Sequence, residues 1–212
     1  MSHITTRFWW VRHASVAHGG RIYGQTDLSC DCSDTALFTG LAEKLPRKAT
    51  WVTSNLRRTH ETAAAIIRAG LPGPDPVPGP EAIMMPELAE QHFGEWQGLT
   101  YEQLQQSRAG DFHRFWHAPA HEVPPGGESF ITVIERVSRA IDRLVETHSG
   151  GDIIAVTHGG TIRAALAVAL DLDPEAALAF TIQNCSITRI DRIEGSSMGH
   201  GWCVVGVNRP PR

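Results

Sequence analysis

Two apolar segments that each end in a histidine constrain the fold of this chain more than any other feature. The run 8–11 (Phe-Trp-Trp-Val) leads into Arg12 and His13. The run 152–157 leads into His158. Runs of this kind predict strands, and the near-continuous apolar character of the second is typical of a sheet covered on both faces. Open α/β sheets bind ligands beyond the carboxyl ends of their strands, so both histidines are expected at a functional edge.

Segments with helical periodicity alternate with the predicted strands. The clearest lies over 128–148, where apolar residues recur at intervals of three and four. The sequence also predicts helices over 33–45, 56–69 and 111–117 and from residues 100, 161 and 173, with strands over 49–53, within 81–88, and near 185–192 and 202–207. Because strands and helices alternate without a linker or a repeat, we predict one α/β domain over 1–212. Its central sheet should be mostly parallel, with helices on both faces.

The composition excludes several classes of protein. The chain has 212 residues, of which 42% are hydrophobic, and this suffices for one full core. Its net charge of -4 provides no basic excess for binding nucleic acid or a membrane surface. No apolar run approaches the length of a membrane span, and residues 1–7 lack the apolar core of a signal peptide. We therefore expect a cytoplasmic protein whose partner is neither nucleic acid nor a membrane.

The cysteines and histidines show no complete metal-binding pattern. The 4 cysteines are too few for a disulfide scaffold, which favours a reducing compartment. Cys30 and Cys32 are too closely spaced for a usual zinc site, and we interpret all the cysteines as structural or incidental. His113 and His117 lie on one side of a predicted helical turn, but a proline interrupts the register before His121. We therefore predict that the protein uses no metal and no cofactor.

Polar residues also follow the second predicted strand. Ser54 is a candidate N-cap of the next helix, and Arg57 and Arg58 lie in the first turn of that helix. The positive end of the helix dipole disfavours cations at this position. Either the two arginines form a solvated basic turn, or an anion binds beside them.

The same edge of the sheet is expected to carry a carboxylate and a helix N-terminus. Glu90 follows the predicted third strand, and Gly159 and Gly160 open a helix whose free N–H groups favour an anion. These groups and His13 could surround one phosphate. The chemistry then fits phosphoryl transfer, in which an imidazole attacks phosphorus, arginines neutralise the oxygens and an acid protonates the leaving oxygen. Cationic side chains take the part that magnesium has elsewhere, so no metal is required.

Five segments of the sequence resemble the histidine phosphatase superfamily, which has the phosphoglycerate mutase-like fold. In the order of the family, they are 11–13 (Val-Arg-His), 54–63 (Ser-Asn-Leu-Arg-Arg-Thr-His-Glu-Thr-Ala), 88–96 (Leu-Ala-Glu-Gln-His-Phe-Gly-Glu-Trp), 125–129 (Pro-Gly-Gly-Glu-Ser) and 157–160 (Thr-His-Gly-Gly). Each segment alone is a weak motif, whereas five in the same order are a strong indication.

The resemblance implies a role for each matching polar residue. It implies that His13 is the nucleophile, which becomes phosphohistidine, and that Glu90 is the proton donor. It also implies that four groups bind the phosphoryl group: Arg12, Arg58, His158 and the backbone N–H of Gly159.

The sequence departs from the family pattern beside the nucleophile. Ala14 stands where the family commonly has glycine, and because alanine resists positive φ, we expect the following loop to differ slightly. The family also places a phosphate-binding asparagine a few residues further on. His18 occupies that neighbourhood here, and we assign the role to His18.

The resemblance implies a metal-independent phosphomonoesterase that acts through phosphohistidine on a small phosphate ester. Segment 93–98 resembles the phosphatase branch more than the mutases, and segment 21–27 resembles enzymes assigned as α-ribazole phosphatase. We therefore expect a phosphatase, with α-ribazole 5'-phosphate as one candidate substrate. Two alternatives stay open: a phosphoglycerate mutase and a non-catalytic module that binds a phospho-ligand. Segment 108–125 is expected to shape the pocket rim, and a homodimer is a further open alternative.

Overall fold

A six-stranded mixed sheet forms the centre of the structure, a computed structural model that describes residues 3–73, 82–107, 117–195 and 201–211. The strands are β1 (Ile4–Arg12), β2 (Thr50–Thr53), β3 (Ile83–Met84), β4 (Asp152–Thr157), β5 (Ile187–Glu194) and β6 (Trp202–Arg209). Their order in the sheet is β3-β2-β4-β1-β5-β6. The pairs β3–β2, β2–β4 and β4–β1 are parallel, whereas β5 and β6 add antiparallel strands at one side. The predicted mostly parallel α/β fold is confirmed.

The helices alternate with the strands and end near the predicted boundaries. They are α1 (Thr35–Lys44), α2 (Arg57–Arg68), α3 (Tyr101–Ser107), α4 (Phe130–His148), α5 (Gly159–Leu170) and α6 (Pro174–Leu178). Side-chain caps explain several starts. Asp173 accepts the N–H of Glu175 at the start of α6, and Thr100 and Gln103 form the predicted capping box before α3. Within the described ranges, the search for a helix long and apolar enough to cross a membrane finds none.

Helices cover both faces of the sheet, as β4 illustrates. Ile153 and Ala155 pack in the core that contains the buried side chains of α4 and α5. The alternate residues Ile154 and Val156 pack in a second core with α1 and α2. This alternation explains the continuous apolar sequence of β4, because successive side chains of a strand face opposite sides and both sides are buried here.

The register between β1 and β4 sets the position of the two strand-end histidines. Arg12 is paired with Thr157, and the backbone N–H of His13 donates to the carbonyl of Thr157 at 2.9 Å. The chain therefore leaves both strands at the same level of the sheet. His13 and His158 follow directly and lie side by side.

Three predicted boundaries require correction. Ser54 is not the N-cap of α2: Leu56 holds that position without a side-chain cap, and the Ser54 hydroxyl lies against His158. The strand predicted within 81–88 covers only Ile83–Met84, because Pro86 lacks the N–H that a ladder needs and starts a short 3-10 turn. The helix after His158 begins at Gly159 rather than Thr161. Most of the helix predicted over 111–117 lies outside the described residues.

Removing part of the α4 core should destabilise the protein strongly. Leu144 is 2% exposed, and Leu144→Ala should lower the free energy of unfolding by about 2–5 kcal/mol, because it leaves a cavity. Ile131 lies on the same helix with 37% of its surface exposed, so Ile131→Ala should cost less than about 1 kcal/mol. Denaturant titration of both variants measures the difference. Equal losses would contradict the assignment of the buried face of α4.

Candidate active site

Two histidine side chains lie in contact at the carboxyl edge of the sheet. The ring centroids of His13 and His158 are 5.1 Å apart, with their planes inclined by 59°. Both side chains are fully buried. The structure thus brings together the two histidines that the sequence places at the ends of β1 and β4.

The hydrogen bonds of His13 define which ring nitrogen is available. Nδ1 lies 2.7 Å from the carbonyl oxygen of Ala14, so a neutral ring carries its proton on Nδ1 and donates to that oxygen. Nε2 then carries the lone pair. It is buried and has no hydrogen-bond partner among the described residues. Asn184 donates from Nδ2 to the His13 carbonyl at 2.8 Å and thereby holds the backbone that carries the ring.

Burial and neighbouring cations keep both histidines neutral. Desolvation lowers the pKa of His13 well below its usual value, and the positive charges of Arg58 and Arg12 lower it further; the bond to Ala14 opposes them. Desolvation and Arg58 are also the two largest causes that lower the pKa of His158. A neutral imidazole is the nucleophilic form, so the electrostatics favour attack by Nε2 of His13 near neutral pH.

Arg58 is held rigidly by backbone carbonyls. Its two terminal nitrogens donate to the carbonyls of Thr26 at 2.9 Å and Gly24 at 2.6 Å, and its guanidinium carbon lies 5.0 Å from the ring centre of Tyr23. The side chain is fully buried. Arg57 instead is exposed and pairs with Glu61 at 2.9 Å. Of the two arginines in the first turn of α2, only Arg58 therefore enters the site.

Arg12 has a similar arrangement. Nη1 of Arg12 donates to the carbonyl of Ile182 at 2.6 Å. Nε of Arg12 and Nε of Arg58 are both buried, and neither has a hydrogen-bond partner within the part of the chain that the structure describes. A buried N–H group without a partner is costly, and a bound oxyanion supplies the missing acceptors. These two groups fit a phosphoryl ligand.

His158 is held by Ser54, which the sequence predicts as a helix N-cap. Nε2 of His158 lies 2.8 Å from Oγ of Ser54, and Oγ of Ser54 lies 3.3 Å from Oγ1 of Thr59. Gly159 follows His158 as the first residue of α5 and is buried. No local pattern in the sequence indicates that Ser54 contacts His158, because 104 positions separate the two residues.

Glu90 lies at the N-terminus of α5. The N–H of Gly160 lies 3.1 Å and 3.2 Å from the two carboxylate oxygens, and the N–H of Gln91 donates to one of them at 3.0 Å. Glu90 is 7% exposed. A Cβ atom on residue 160 would overlap Oε1 of Glu90, so any larger residue there would displace the carboxylate from its present position. From the sequence, Gly160 is predicted only to lie at the start of a helix, and its close approach to Glu90 is not predicted.

A partly buried ion pair between α4 and the residues just before it holds the backbone of the Glu90 segment. Arg136 and Glu128 form a salt bridge of 2.9 Å. Arg136 also donates to the carbonyls of Glu87 at 2.5 Å and Glu90 at 3.1 Å, while Glu128 accepts the N–H of His92 at 2.9 Å. The sequence analysis missed Arg136. One feature of the sequence could have indicated this role. Arg136 is a cation on the apolar side of the predicted helix, between the buried residues Val133 and Val137.

A cleft of about 260 Å³ leads to Arg12 and Glu90. His18 lines this cleft with an exposed ring; its Nδ1 lies 2.8 Å from the Arg21 carbonyl, and its ring centre lies 5.0 Å from that of Tyr23. Trp96 does not line the cleft but packs in an apolar cluster with Ile22 and Phe93, which do. The remaining lining residues are Gly20, Arg21, Ile22, Tyr23, Gly24, Phe93, Tyr101 and His117.

Two further sequence expectations concern the surroundings of the site. Ala14 is not among the described residues with positive φ, so this position does not need glycine. Among the described residues, the search for groups of three or more His, Cys, Asp or Glu side chains that could hold a metal ion finds none. His113 lies outside those residues, and so does most of the predicted rim segment 108–125.

The fold and the site together define an α/β protein with two histidines, two arginines and a carboxylate at the carboxyl edge of its sheet. The chain belongs to the histidine phosphatase superfamily (branch 1), whose family model matches residues 8–204. The relationship suggested by the five sequence segments is confirmed at this level.

Individual relatives agree with this membership. The chain is 31% identical over 160 residues to the metal-independent phosphoserine phosphatase of Arabidopsis thaliana, covering 73% of this chain and 64% of that protein. The native structure of a mycobacterial glucosyl-3-phosphoglycerate phosphatase is similar with a TM-score of 0.77 and 26% identity, covering 97% of this chain and 99% of that one. A proposed α-ribazole-5'-phosphate phosphatase of Escherichia coli K-12 has a TM-score of 0.75, 23% identity and coverages of 97% and 98%, which supports the shared fold.

The lowered pKa of His13 can be measured directly. Nε2 of His13 should lack a proton at pH 6.5 and below, because burial and two arginines disfavour the imidazolium form. Nitrogen-15 NMR of the histidine rings should show a neutral ring protonated on Nδ1, with His13→Gln providing the assignment. Titration of the His13 ring with a midpoint at or above pH 6.5 would contradict this electrostatic account.

Proposed function

We propose that the protein is a metal-independent phosphomonoesterase that acts on a small phosphate ester through phosphohistidine at His13. The observation that carries the proposal is the state of the His13 ring. Its Nδ1 bonds to the Ala14 carbonyl, while its buried Nε2 has no partner among the described residues. This nitrogen has Arg12 and Arg58 as cationic neighbours, which lower its pKa. Such a nitrogen is a nucleophile for an electrophile that arrives with negative charge.

The first chemical step forms a bond between Nε2 of His13 and phosphorus and breaks the bond from phosphorus to the ester oxygen. The guanidinium groups of Arg12 and Arg58 neutralise the phosphoryl oxygens. The ring of His158 and the N–H of Gly159 complete this set of groups. Glu90, in its protonated form, gives its proton to the leaving oxygen, so the product leaves as an alcohol.

The second step returns the enzyme to its starting state. Glu90, now a carboxylate, takes a proton from a water molecule, and the water oxygen attacks phosphorus. The bond between phosphorus and Nε2 breaks, and inorganic phosphate forms. His13 becomes neutral again, with its proton on Nδ1. The same carboxyl group thus acts first as acid and then as base.

Hydrolysis is supported over the two alternative functions by the relatives. Two of the similar proteins are named as phosphatases with different substrates, and one of these is named as metal-independent. A mutase needs the same groups but must retain the phosphoryl group. A non-catalytic module would not need Glu90 at the N-terminus of α5. The names of these relatives and the position of Glu90 together favour a phosphatase.

The substrate proposal rests on the cleft. Residues 21–24 line it, and they lie within the segment that resembles enzymes assigned as α-ribazole phosphatase. α-Ribazole 5'-phosphate is therefore one candidate among small phosphate esters, and His18 at the cleft is our candidate for the additional phosphate-binding group. The cytoplasm as the compartment and a homodimer as the assembly are proposed on sequence composition and family resemblance alone.

Hydrolysis of p-nitrophenyl phosphate in EDTA tests the central proposal. The wild type should release phosphate without added metal and should form an acid-labile phosphoprotein, whereas His13→Ala should lose on the order of 10³-fold or more of the activity. Phosphoglycerate mutase activity is assayed beside it. Mutase turnover with little hydrolysis would support the mutase alternative, and loss of activity in EDTA that a divalent ion restores would overturn the metal-free mechanism.

The role of Glu90 predicts a dependence on the leaving group. Glu90→Gln should slow hydrolysis of an alkyl phosphate by about 10²–10⁴-fold, and that of p-nitrophenyl phosphate less, because nitrophenolate leaves without a proton. Gly160→Ala should give the same pattern, since its Cβ would displace the Glu90 carboxylate. Gly151→Ala is the matched control, because its Cβ would meet only the His148 carbonyl at 3.7 Å. Equal losses for both substrates would argue against Glu90 as the acid.

A further inference from the structure

Two cysteine thiols lie in contact on the outer side of α2. Sγ of Cys30 and Sγ of Cys32 are 3.6 Å apart. Cys32 lies against the Glu61 carbonyl, with 3.7 Å between sulfur and oxygen. The segment is anchored to the same helix turn, because the N–H of Cys30 donates to the Glu61 carboxylate at 2.8 Å. The pair is thus held in a fixed position on the helix that carries Arg58.

Cys30 also contacts two groups that hold the active site. Its Sγ lies 3.3 Å from the carbonyl oxygen of Arg58 and 3.5 Å from Oγ1 of Thr62. Oγ1 of Thr62 accepts the N–H of Ala14 at 2.9 Å, and Ala14 directly follows His13. A single side chain, that of Thr62, therefore separates the Cys30 sulfur from the loop of the proposed nucleophile.

The two thiols differ from the other cysteines in their accessibility. Cys30 and Cys32 are both partly exposed, and Cys32 lines a surface groove of about 370 Å³ together with Phe38 and Arg68. Cys185 is buried, and Cys203 is exposed on β6. A small oxidant can reach Cys32 from this groove without entering the cleft, and Cys30 is itself partly exposed beside it.

We propose that Cys30 and Cys32 form a redox-modification site, which a peroxide converts into an intrachain disulfide. The Cys30 thiolate attacks a peroxide oxygen, the O–O bond breaks, and Cys30 becomes a sulfenic acid with release of hydroxide. The Cys32 thiol then attacks the Cys30 sulfur, the S–O bond breaks, and the disulfide forms with release of water. In total, two thiols are oxidised, one hydrogen peroxide is reduced, and two waters form.

The hydrogen bond between the two cysteines indicates which thiol attacks the peroxide and which resolves the sulfenic acid. The hydrogen bond between the two sulfur atoms lowers the pKa of Cys30, so we assign the attacking thiolate to Cys30. The same bond raises the pKa of Cys32, and its burial raises it further. Cys32 thus stays protonated until a sulfenic acid has formed beside it. An acidic thiol beside a resolving thiol is the usual arrangement of a peroxide-sensitive pair.

We expect disulfide formation to disturb the active site through the contacts of Cys30. Because bonded sulfurs lie ~2.05 Å apart, at least one sulfur must move from its present position. Movement of the Cys30 sulfur breaks its contacts with Arg58 and Thr62. We expect kcat/KM to fall by about tenfold, since displacements of ~1 Å at catalytic groups can cost up to ~10²-fold. This activity readout rests on the proposed phosphatase function, whereas disulfide formation does not.

Mass spectrometry of peroxide-treated protein tests the site. Trypsin should release residues 22–44 as one peptide that contains both cysteines, and its mass should fall by two hydrogens, returning after dithiothreitol. The p-nitrophenyl phosphate activity should fall and recover in parallel. Cys32→Ser should keep the activity of the reduced wild type and should form no disulfide in peptide 22–44, with Cys32→Ala as a second variant. Cys203→Ser is the matched control and should respond like the wild type.

Three results would separate the parts of the proposal. Oxidation of Cys203 without loss of two hydrogens from peptide 22–44 would overturn the modification site. A disulfide in that peptide with unchanged activity would overturn its coupling to the active site. If the reduced wild type had no phosphatase activity, the proposed function would fail, while the peptide mass would still decide whether the thiol pair forms a disulfide.

Discussion

The parallel pairing of β1 with β4 is the interaction on which the rest of the site depends. Its register aligns Arg12 with Thr157 and brings the rings of His13 and His158 to a centroid distance of 5.1 Å. A shift by one residue would turn every apolar side chain of β4 to the opposite face, where another core is packed. The two cores therefore fix the register, and the register fixes the histidines. The positions of the polar groups at this edge of the sheet therefore depend on hydrophobic packing in the two cores.

The electrostatics of the site are arranged for an anion. The buried guanidinium of Arg58 and the partly buried one of Arg12 lie beside two buried imidazoles, and Nε of each arginine has no partner within the described ranges. Burial of cations is unfavourable, and the nearby carbonyls compensate it only in part. Burial, together with these cations, lowers the pKa of both imidazoles and keeps them neutral. A phosphoryl group satisfies the arginines without removing the lone pair of His13. The burial and charge that make this arrangement costly are thus the features that favour the proposed substrate.

Local patterns predicted the architecture, whereas contacts between distant segments decided the details of the site. The apolar strands, the capping box at Thr100 and the alternation of elements follow from short-range physics, and the structure confirms them. Ser54 illustrates the limit: a serine before a helix can cap it or bond elsewhere, and here the competing partner is His158. Arg136 and Gly160 form hydrogen bonds with Glu90, which lies in a different segment of the chain. Their roles depend on how α4 and α5 meet the Glu90 segment, which no local pattern shows.

The segment that holds Arg58 also forms the wall of the cleft. The carbonyls of Gly24 and Thr26 fix the guanidinium, while Tyr23 between β1 and α1 lines the space that a leaving group would occupy. Selection for a new substrate cannot alter this wall freely, since a change in its backbone also moves the phosphate-binding cation. Divergence of substrate range should therefore proceed mainly through lining residues outside this segment, such as Tyr101, on which Arg58 imposes no comparable constraint.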